Sequence, residues 1–184
     1  MEAEVATRVV DLARQIGPRC GDVILIAIDG RSGAGKTTLA AAVTGLLGSH
    51  GLTCAVIHVD EICPGWGGLP AVPGRLVALI DDLARHGRAH YPTWDWYASG
   101  PGPDAEIPRS DVVIIEGAAA ADPQWRDRTS VAVWVDAPAE IRKQRAIARD
   151  GDSFAAHWDQ WAAAEDAYFG TRPALDADVI LESA

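Results

Sequence analysis

Short, unbroken apolar runs recur along the chain at residues 23–28, 54–59, 112–115 and 131–135, and a weaker one covers 178–181. They are rich in Val and Ile and lack the apolar-polar alternation of a strand with one wet face. Continuous runs of this length read as strands covered on both sides, as in a parallel sheet sandwiched between helices. Between them the apolar spacing becomes helical. Val5, Val9, Leu12 and Ile16 mark an amphipathic helix that stops at Gly17-Pro18, and residues 36–47, 73–86, 139–149 and 154–169 read as further helices, with Pro73 in a first turn. The alternation predicts one α/β domain over residues 1–184, built on a five-stranded parallel sheet flanked by helices. Residues 61–110 break the rhythm, because Pro, Gly and aromatic residues crowd into GWGGLPAVPG and HYPTWDWYASGPGPD. A long irregular insert on such a scaffold is where function is expected. No internal repeat, low-complexity tail or linker marks a second domain.

Directly after the first strand and before the 36–47 helix, residues 30–37 read Gly-Arg-Ser-Gly-Ala-Gly-Lys-Thr and fit GxxxxGK[ST] at every fixed position. Glycines let backbone N–H groups turn inward around an anion, and the following helix aims its partially positive N-terminus at the same oxygens. The expected nucleotide-binding residues are Gly30, Ser32, Gly33, Ala34, Gly35, Lys36, Thr37 and Thr38. Lys36 brings a full charge, and Thr37 offers a hydroxyl to a Mg²⁺ that bridges phosphates. Together they predict a P-loop NTPase fold that cradles the β- and γ-phosphates of a nucleotide with Mg²⁺.

Composition sharpens this reading. The 184 residues carry 16 basic and 26 acidic side chains, a net charge of −10, which argues against nucleic acid or an anionic membrane as partner. The longest apolar run is far too short to span a bilayer, and Glu2 and Glu4 replace the basic head of a signal peptide, so a cytoplasmic location is expected. Cys20, Cys54 and Cys63 form no CxxC pair and read as reduced thiols. The chain contains no asparagine, which removes the Asn-Lys-x-Asp guanine-reading motif and the catalytic loop of protein kinases. Lys36 and Lys143 are its only lysines, so a reaction that needs an ammonium has almost no choice. His50, His58, His86, His90 and His157 lack metal-ligand spacing and read as structural or surface groups.

In an open parallel sheet the ligand crevice lies beyond the carboxyl ends of the strands. Asp60 stands there as a candidate general base for an acceptor hydroxyl, and Glu116 as a Mg²⁺ ligand, directly or through water. Asp29 and Asp136 could equally orient turns or helix starts. Arg142, Arg145 and Arg149 share one helical stripe that suits phosphate oxygens, or else pairs with Glu140 and Asp150 as a solvated face. Tyr91, Trp94, Trp96 and Tyr97 surround Asp95 in the insert and Trp66 lies in the preceding glycine-rich loop, an arrangement that suits a flat, hydroxylated ligand, with core packing as the alternative. Trp158 and Trp161 read as core.

The order IAIDGRSGAGKTT, VIHVDE, YPTWDW, DVVIIEG, VDAPAEIRKQRAIARD and ADVIL resembles the uridine kinase family of P-loop kinases, related to phosphoribulokinase and pantothenate kinase, over most of residues 23–181. The resemblance implies ATP as donor and Asp60 as activator of the acceptor hydroxyl. It also implies Arg142 near the acceptor, Arg145 and Arg149 in a lid over the phosphates within about 142–152, and Trp94, Asp95 and Trp96 beside a nucleoside. Departures are Cys63 in place of a tyrosine, Ser99 in place of a base-reading histidine, and a lid cut short at Asp150-Gly151-Asp152. The expected activity is transfer of the γ-phosphate of ATP to a hydroxyl of a small, nucleoside-like acceptor. The alternatives are a nucleoside monophosphate kinase and an ATP-binding regulatory NTPase.

Overall fold

The computed structural model describes residues 2–170 and 176–183; Met1, residues 171–175 and Ala184 of the expected domain lie outside the described residues. Five strands, β1 (Ile24–Asp29), β2 (Cys54–His58), β5 (Val112–Glu116), β6 (Val131–Asp136) and β7 (Val179–Glu182), form a parallel sheet in the order β2-β5-β1-β6-β7. Its continuous apolar runs have a direct cause. Leu25 and Ala27 are buried along β1 beside Ile26 and Ile28; Leu25 joins the core on one face of the sheet, and Ile26 and Ile28 join the core on the other. Val113 and Ile115 of β5 divide from Val112 and Ile114 in the same way.

The face of Ile26 and Ile28 is covered by α1 (Glu2–Ile16) and α2 (Lys36–Ser49). The expected stripe of α1 is rotated: Ala6, Val9, Val10 and Ala13 are buried, while Val5, Leu12 and Ile16 are half-buried at its margins. Small alanines let α1 approach closely, so the larger residues flank the contact instead of filling it. The face of Leu25 is covered by α4 (Val72–His86), through Leu76, Leu79, Ile80 and Leu83, and by α7 (Trp158–Phe169), through Trp158, Trp161 and Phe169. A single-turn α3 (Val59–Ile62) follows β2 directly. Among the described residues, no helix is long and apolar enough to cross a membrane.

Two expectations change. The insert is more ordered than its composition predicts, since β3 (Ala89–Asp95) and β4 (Gly100–Ile107) pair as an antiparallel hairpin, with a register shift between Pro92 and Trp94. The sequence GPGPDAEI carries no strand signal because its side chains are mostly exposed and only its backbone pairs. The helix expected at 154–169 is broken, with α6 (Asp152–Ala155) ending before His157 and α7 beginning at Trp158. Phe154, Trp158, Trp161 and Phe169 are buried on both sides of the break, which is why the pattern reads as one helix.

α5 (Ala139–Asp150) follows β6 and closes on the turn between β1 and α2. At Gly33 the backbone has φ +78°, and a Cβ there would lie 2.1 Å from the Arg142 carbonyl oxygen. Only glycine permits both the conformation and the approach. Gly33→Ala is expected to lower stability by roughly 2–4 kcal/mol through backbone strain and overpacking, as read by chemical denaturation, whereas Gly45→Ala, which has open space around it in α2, should not.

Candidate active site

The turn from Gly30 to Gly35 wraps around the N-terminus of α2. Gly30, Gly33 and Gly35 all have positive φ, and Ala34 is buried with its N–H on the Arg31 carbonyl. Lys36 is buried, with Nζ 3.0 Å from the Arg31 carbonyl oxygen, so its ammonium is held within the loop that an anion would enter. Asp29 anchors the start of the turn. Its carboxylate accepts N–H bonds from Gly30 (2.7 Å), Ala119 (3.0 Å) and Ala121 (2.9 Å), joining β1 to the segment after β5. Burial pushes its pKa up to about 6 against the pull of those donors and of Lys36. Asp136 caps locally, accepting the Ala137 N–H at 2.8 Å. Of the two readings open for these carboxylates, the turn-orienting one matches their contacts.

Glu116, at the end of β5, accepts from Thr37 Oγ1 at 3.0 Å and lies 2.6 Å from His58 Nδ1. Burial works to raise its pKa, but the His58 hydrogen bond, Lys36 and Thr37 outweigh it and hold the carboxyl below its ordinary range. Thr37 and Glu116 thus place two hard oxygen donors together at the mouth of the loop, a pair suited to Mg²⁺ that also takes phosphate oxygens. No cluster of three or more His, Cys, Asp or Glu side chains suited to a metal occurs among the described residues.

A cavity of about 320 Å³ runs along this loop, lined by Ser32, Gly33, Gly35, Lys36, Thr37, Thr38, Asp60, Glu116, Arg145 and Arg149 among others. A second, of about 440 Å³, is walled by Trp66, Trp96, Phe154 and Trp161 together with Ser32, Asp60, Arg149, Asp150 and Ser153. Ser32, Asp60 and Arg149 line both, so the two spaces meet there. Asp60 stands on α3 with its side chain reached through the cavities. Desolvation by the surrounding protein raises its pKa, reinforced by Glu116 and Asp150 and opposed by Lys36 and Arg149. A carboxylate poised above its usual range is a better proton acceptor near neutral pH.

The insert positions that turn. Trp96 Nε1 donates to the Asp60 carbonyl (2.8 Å), Tyr91 Oη to Glu61 (2.8 Å) and Arg75 to the Ile62 carbonyl (2.8 Å). Three residues expected at the acceptor are placed elsewhere. Tyr91 is buried in the core, Trp94 lies against Gly65, and Asp95 accepts the Tyr97 and Ala98 N–H groups at the hairpin tip. None of the three lines the aromatic cavity. Gly30 shapes the turn beside Val135 without lining a cavity.

The arginine stripe divides three ways. Arg149 reaches both cavities, Arg145 lines the loop cavity and donates to Ser183 Oγ at 3.0 Å, and Arg142 is buried with Nε on the Ala137 carbonyl at 3.1 Å. Arg142 instead faces Glu165, a fully buried carboxylate of α7, at 3.8 Å. Glu165 accepts the Ser32 N–H (2.7 Å) and Trp161 Nε1 (2.9 Å), and the same indole lies 2.7 Å from Ser32 Oγ. Sequence reasoning misses this anchor, although an acid at the 158, 161, 165, 169 helical spacing is a detectable anomaly in an apolar stripe. It also misses the walls from Phe154 and Trp161, and His58 as partner of Glu116.

A family model for the methylmalonyl Co-A mutase-associated GTPase MeaB matches residues 1–77. No curated protein matches by sequence. A solved structure described as a possible uridine kinase from Bacillus stearothermophilus superposes with a TM-score of 0.64 at 23% identity, covering 97% of this chain and 99% of that one. The fold is that of P-loop kinases. The D-glycerate 3-kinase from Cryptococcus neoformans var. grubii superposes at 0.55 with 14% identity, covering 89% of this chain and 85% of that one.

Two outcomes test the site's framework. Glu165→Ala leaves the Ser32 N–H without its acceptor, removes one of the two acceptors of the Trp161 N–H and strips the buried Arg142 of its counter-charge, and should cost roughly 3 kcal/mol in denaturant unfolding. The His58–Glu116 pair titrates from both sides. Glu116 has a depressed pKa, so its share is present above about 4.5 and is lost on acidification. His58 has a raised pKa, mainly through the Glu116 hydrogen bond, so its share is complete below about 6.5 and fades as pH climbs through the folded value. The melting-temperature gap between wild type and His58→Ala should therefore be widest between these limits and shrink at pH 9.

Proposed function

We propose that the protein is a kinase that transfers the γ-phosphate of ATP to a hydroxyl of a small, nucleoside-like acceptor. The observation that carries this reading is the meeting of two cavities at one raised-pKa carboxylate, Asp60, with a phosphate-binding loop on one side and aromatic walls on the other. A hydrolase needs a space for water beside the phosphates; a second cavity of about 440 Å³ is room for a molecule. On this reading the acceptor hydroxyl loses its proton to Asp60 as its oxygen bonds to the γ-phosphorus, and the bond from that phosphorus to the ADP oxygen breaks. Lys36, Arg145 and Arg149 face the charge that spreads over the phosphoryl oxygens. Thr37 and Glu116 would hold Mg²⁺, which when bound offsets phosphate charge.

Trp66, Trp96 and Trp161 supply faces for a planar or sugar-like portion. Tyr91 contributes from behind this wall, through its bond to Glu61 in the α3 turn. The solved structures described as a possible uridine kinase and as a D-glycerate 3-kinase support the scaffold for phosphoryl transfer to hydroxyls. A phosphorylated acceptor, as in a nucleoside monophosphate kinase, has less support, because Arg149 is the single basic side chain on the aromatic cavity among the described residues.

The MeaB match favours a second reading, a nucleotide-hydrolysing switch. It covers the loop and α3, whereas the aromatic cavity is completed by Trp96, Phe154 and Trp161, beyond the match. These 184 residues also contain no asparagine for a guanine-reading motif. ADP release separates the two, since a kinase stays nearly silent until an acceptor is added, while a switch hydrolyses nucleotide alone. Within the kinase reading, Asp60→Asn should leave ATP affinity nearly intact and cut turnover by roughly a hundredfold or more, and Lys36→Ala should abolish both binding and turnover. Undiminished turnover in Asp60→Asn removes it as the base.

A further inference from the structure

The aromatic cavity carries a charge pattern that its residue types alone do not reveal. Arg149 is its one cation among the described residues, and that guanidinium is already committed: Nε and Nη2 lie 2.8 and 2.7 Å from the two carboxylate oxygens of the neighbouring Asp150. Asp60 then remains as the carboxylate on this wall with no cation of the wall bonded to it, its compensating charge, Lys36, lying on the loop side. A nucleotide does not reverse this balance. Arg149 also lines the phosphate side, so a triphosphate that draws it across leaves Asp150 and Asp60 both facing the acceptor space. With or without donor, an anion on the aromatic side meets net negative charge from the lining side chains, and like charges at short range repel.

We propose that Asp150 sets acceptor specificity by charge: it cancels Arg149, so the cavity takes hydroxylated molecules with an apolar face and no anionic group, and rejects those bearing phosphate or carboxylate. This rests on the kinase reading of the same site. Trp66, Trp96 and Trp161 accept the apolar face of such a molecule, and Asp60 its reacting hydroxyl. Asp150 is a specificity-determining residue, exposed at the end of α5, and its replacement removes a charge without opening the core.

The test has two arms. In the first, ADP release is measured with MgATP and matched acceptor pairs: uridine and uridine monophosphate, fructose and fructose 6-phosphate, glycerol and glycerate. The expected result is turnover confined to uncharged members, by at least about tenfold in kcat/KM, with Asp150→Asn narrowing the gap by raising the anionic member. Equal or better use of an anionic member by the wild type overturns the proposal. The second arm reads the cavity without any acceptor, through quenching of tryptophan fluorescence by iodide, caesium and acrylamide. Asp150→Asn should increase quenching by iodide and leave acrylamide unchanged; identical iodide quenching in both proteins overturns the proposal. If no member of the panel yields ADP, the kinase reading loses its support, while the quenching arm still decides the charge of the cavity.

Discussion

One ammonium group is common to the three carboxylates of the site. Burial works to raise the pKa of Asp29, Asp60 and Glu116, and the charge of Lys36, buried at the head of α2, opposes it at each, although the three carboxylates come from different strand ends. Each has a different job: Asp29 ties the loop to the segment after β5, Glu116 pairs with Thr37 and His58, and Asp60 faces the junction of the cavities. A polyanion can enter among three carboxylates only where a fixed cation, inward-turned amides and a helix N-terminus compensate it. The loop supplies all three at one place.

Such a loop is useful only if it is held still, and the structure fastens it from both ends. Asp29 secures its start, and from behind its apex Glu165 accepts the Ser32 N–H and the Trp161 indole N–H. Trp161 also forms part of the aromatic wall, so one side chain touches both the loop and the second cavity. The insert does comparable work for Asp60, since Trp96 and Tyr91 bond to the α3 turn that presents it. A rigid frame with a precisely oriented base is what a transfer between two bound molecules requires.

The sheet and the phosphate loop were legible because their signals are local. Unbroken apolar runs report burial on both faces, and GRSGAGKT reports a backbone conformation within eight residues. The hairpin was not legible, because β4 pairs through its backbone and buries little. The aromatic cavity was legible only in part. Trp66 and Trp96 line it, whereas Trp94 lies on β3 against Gly65 and Asp95 bonds the hairpin tip; β3 ends at Asp95, so Trp96 leaves the strand's register and its side chain is set by the turn. Arg142 sits on the expected stripe, yet a helix stripe is not a single environment; its first member is buried against Glu165 and its last opens to two cavities. Glu165 itself depends on contacts more than 130 residues apart in the chain, as with Ser32, which no local pattern carries.

The central claim is that donor and acceptor occupy adjoining spaces that share Asp60. Its most direct test is an experimental structure with Mg²⁺ and a non-hydrolysable ATP analogue. The account predicts the phosphates in the turn between β1 and α2, with the terminal phosphate facing Asp60 and open to the aromatic cavity. A nucleotide bound elsewhere, or a terminal phosphate walled off from Asp60 and that cavity, would contradict it.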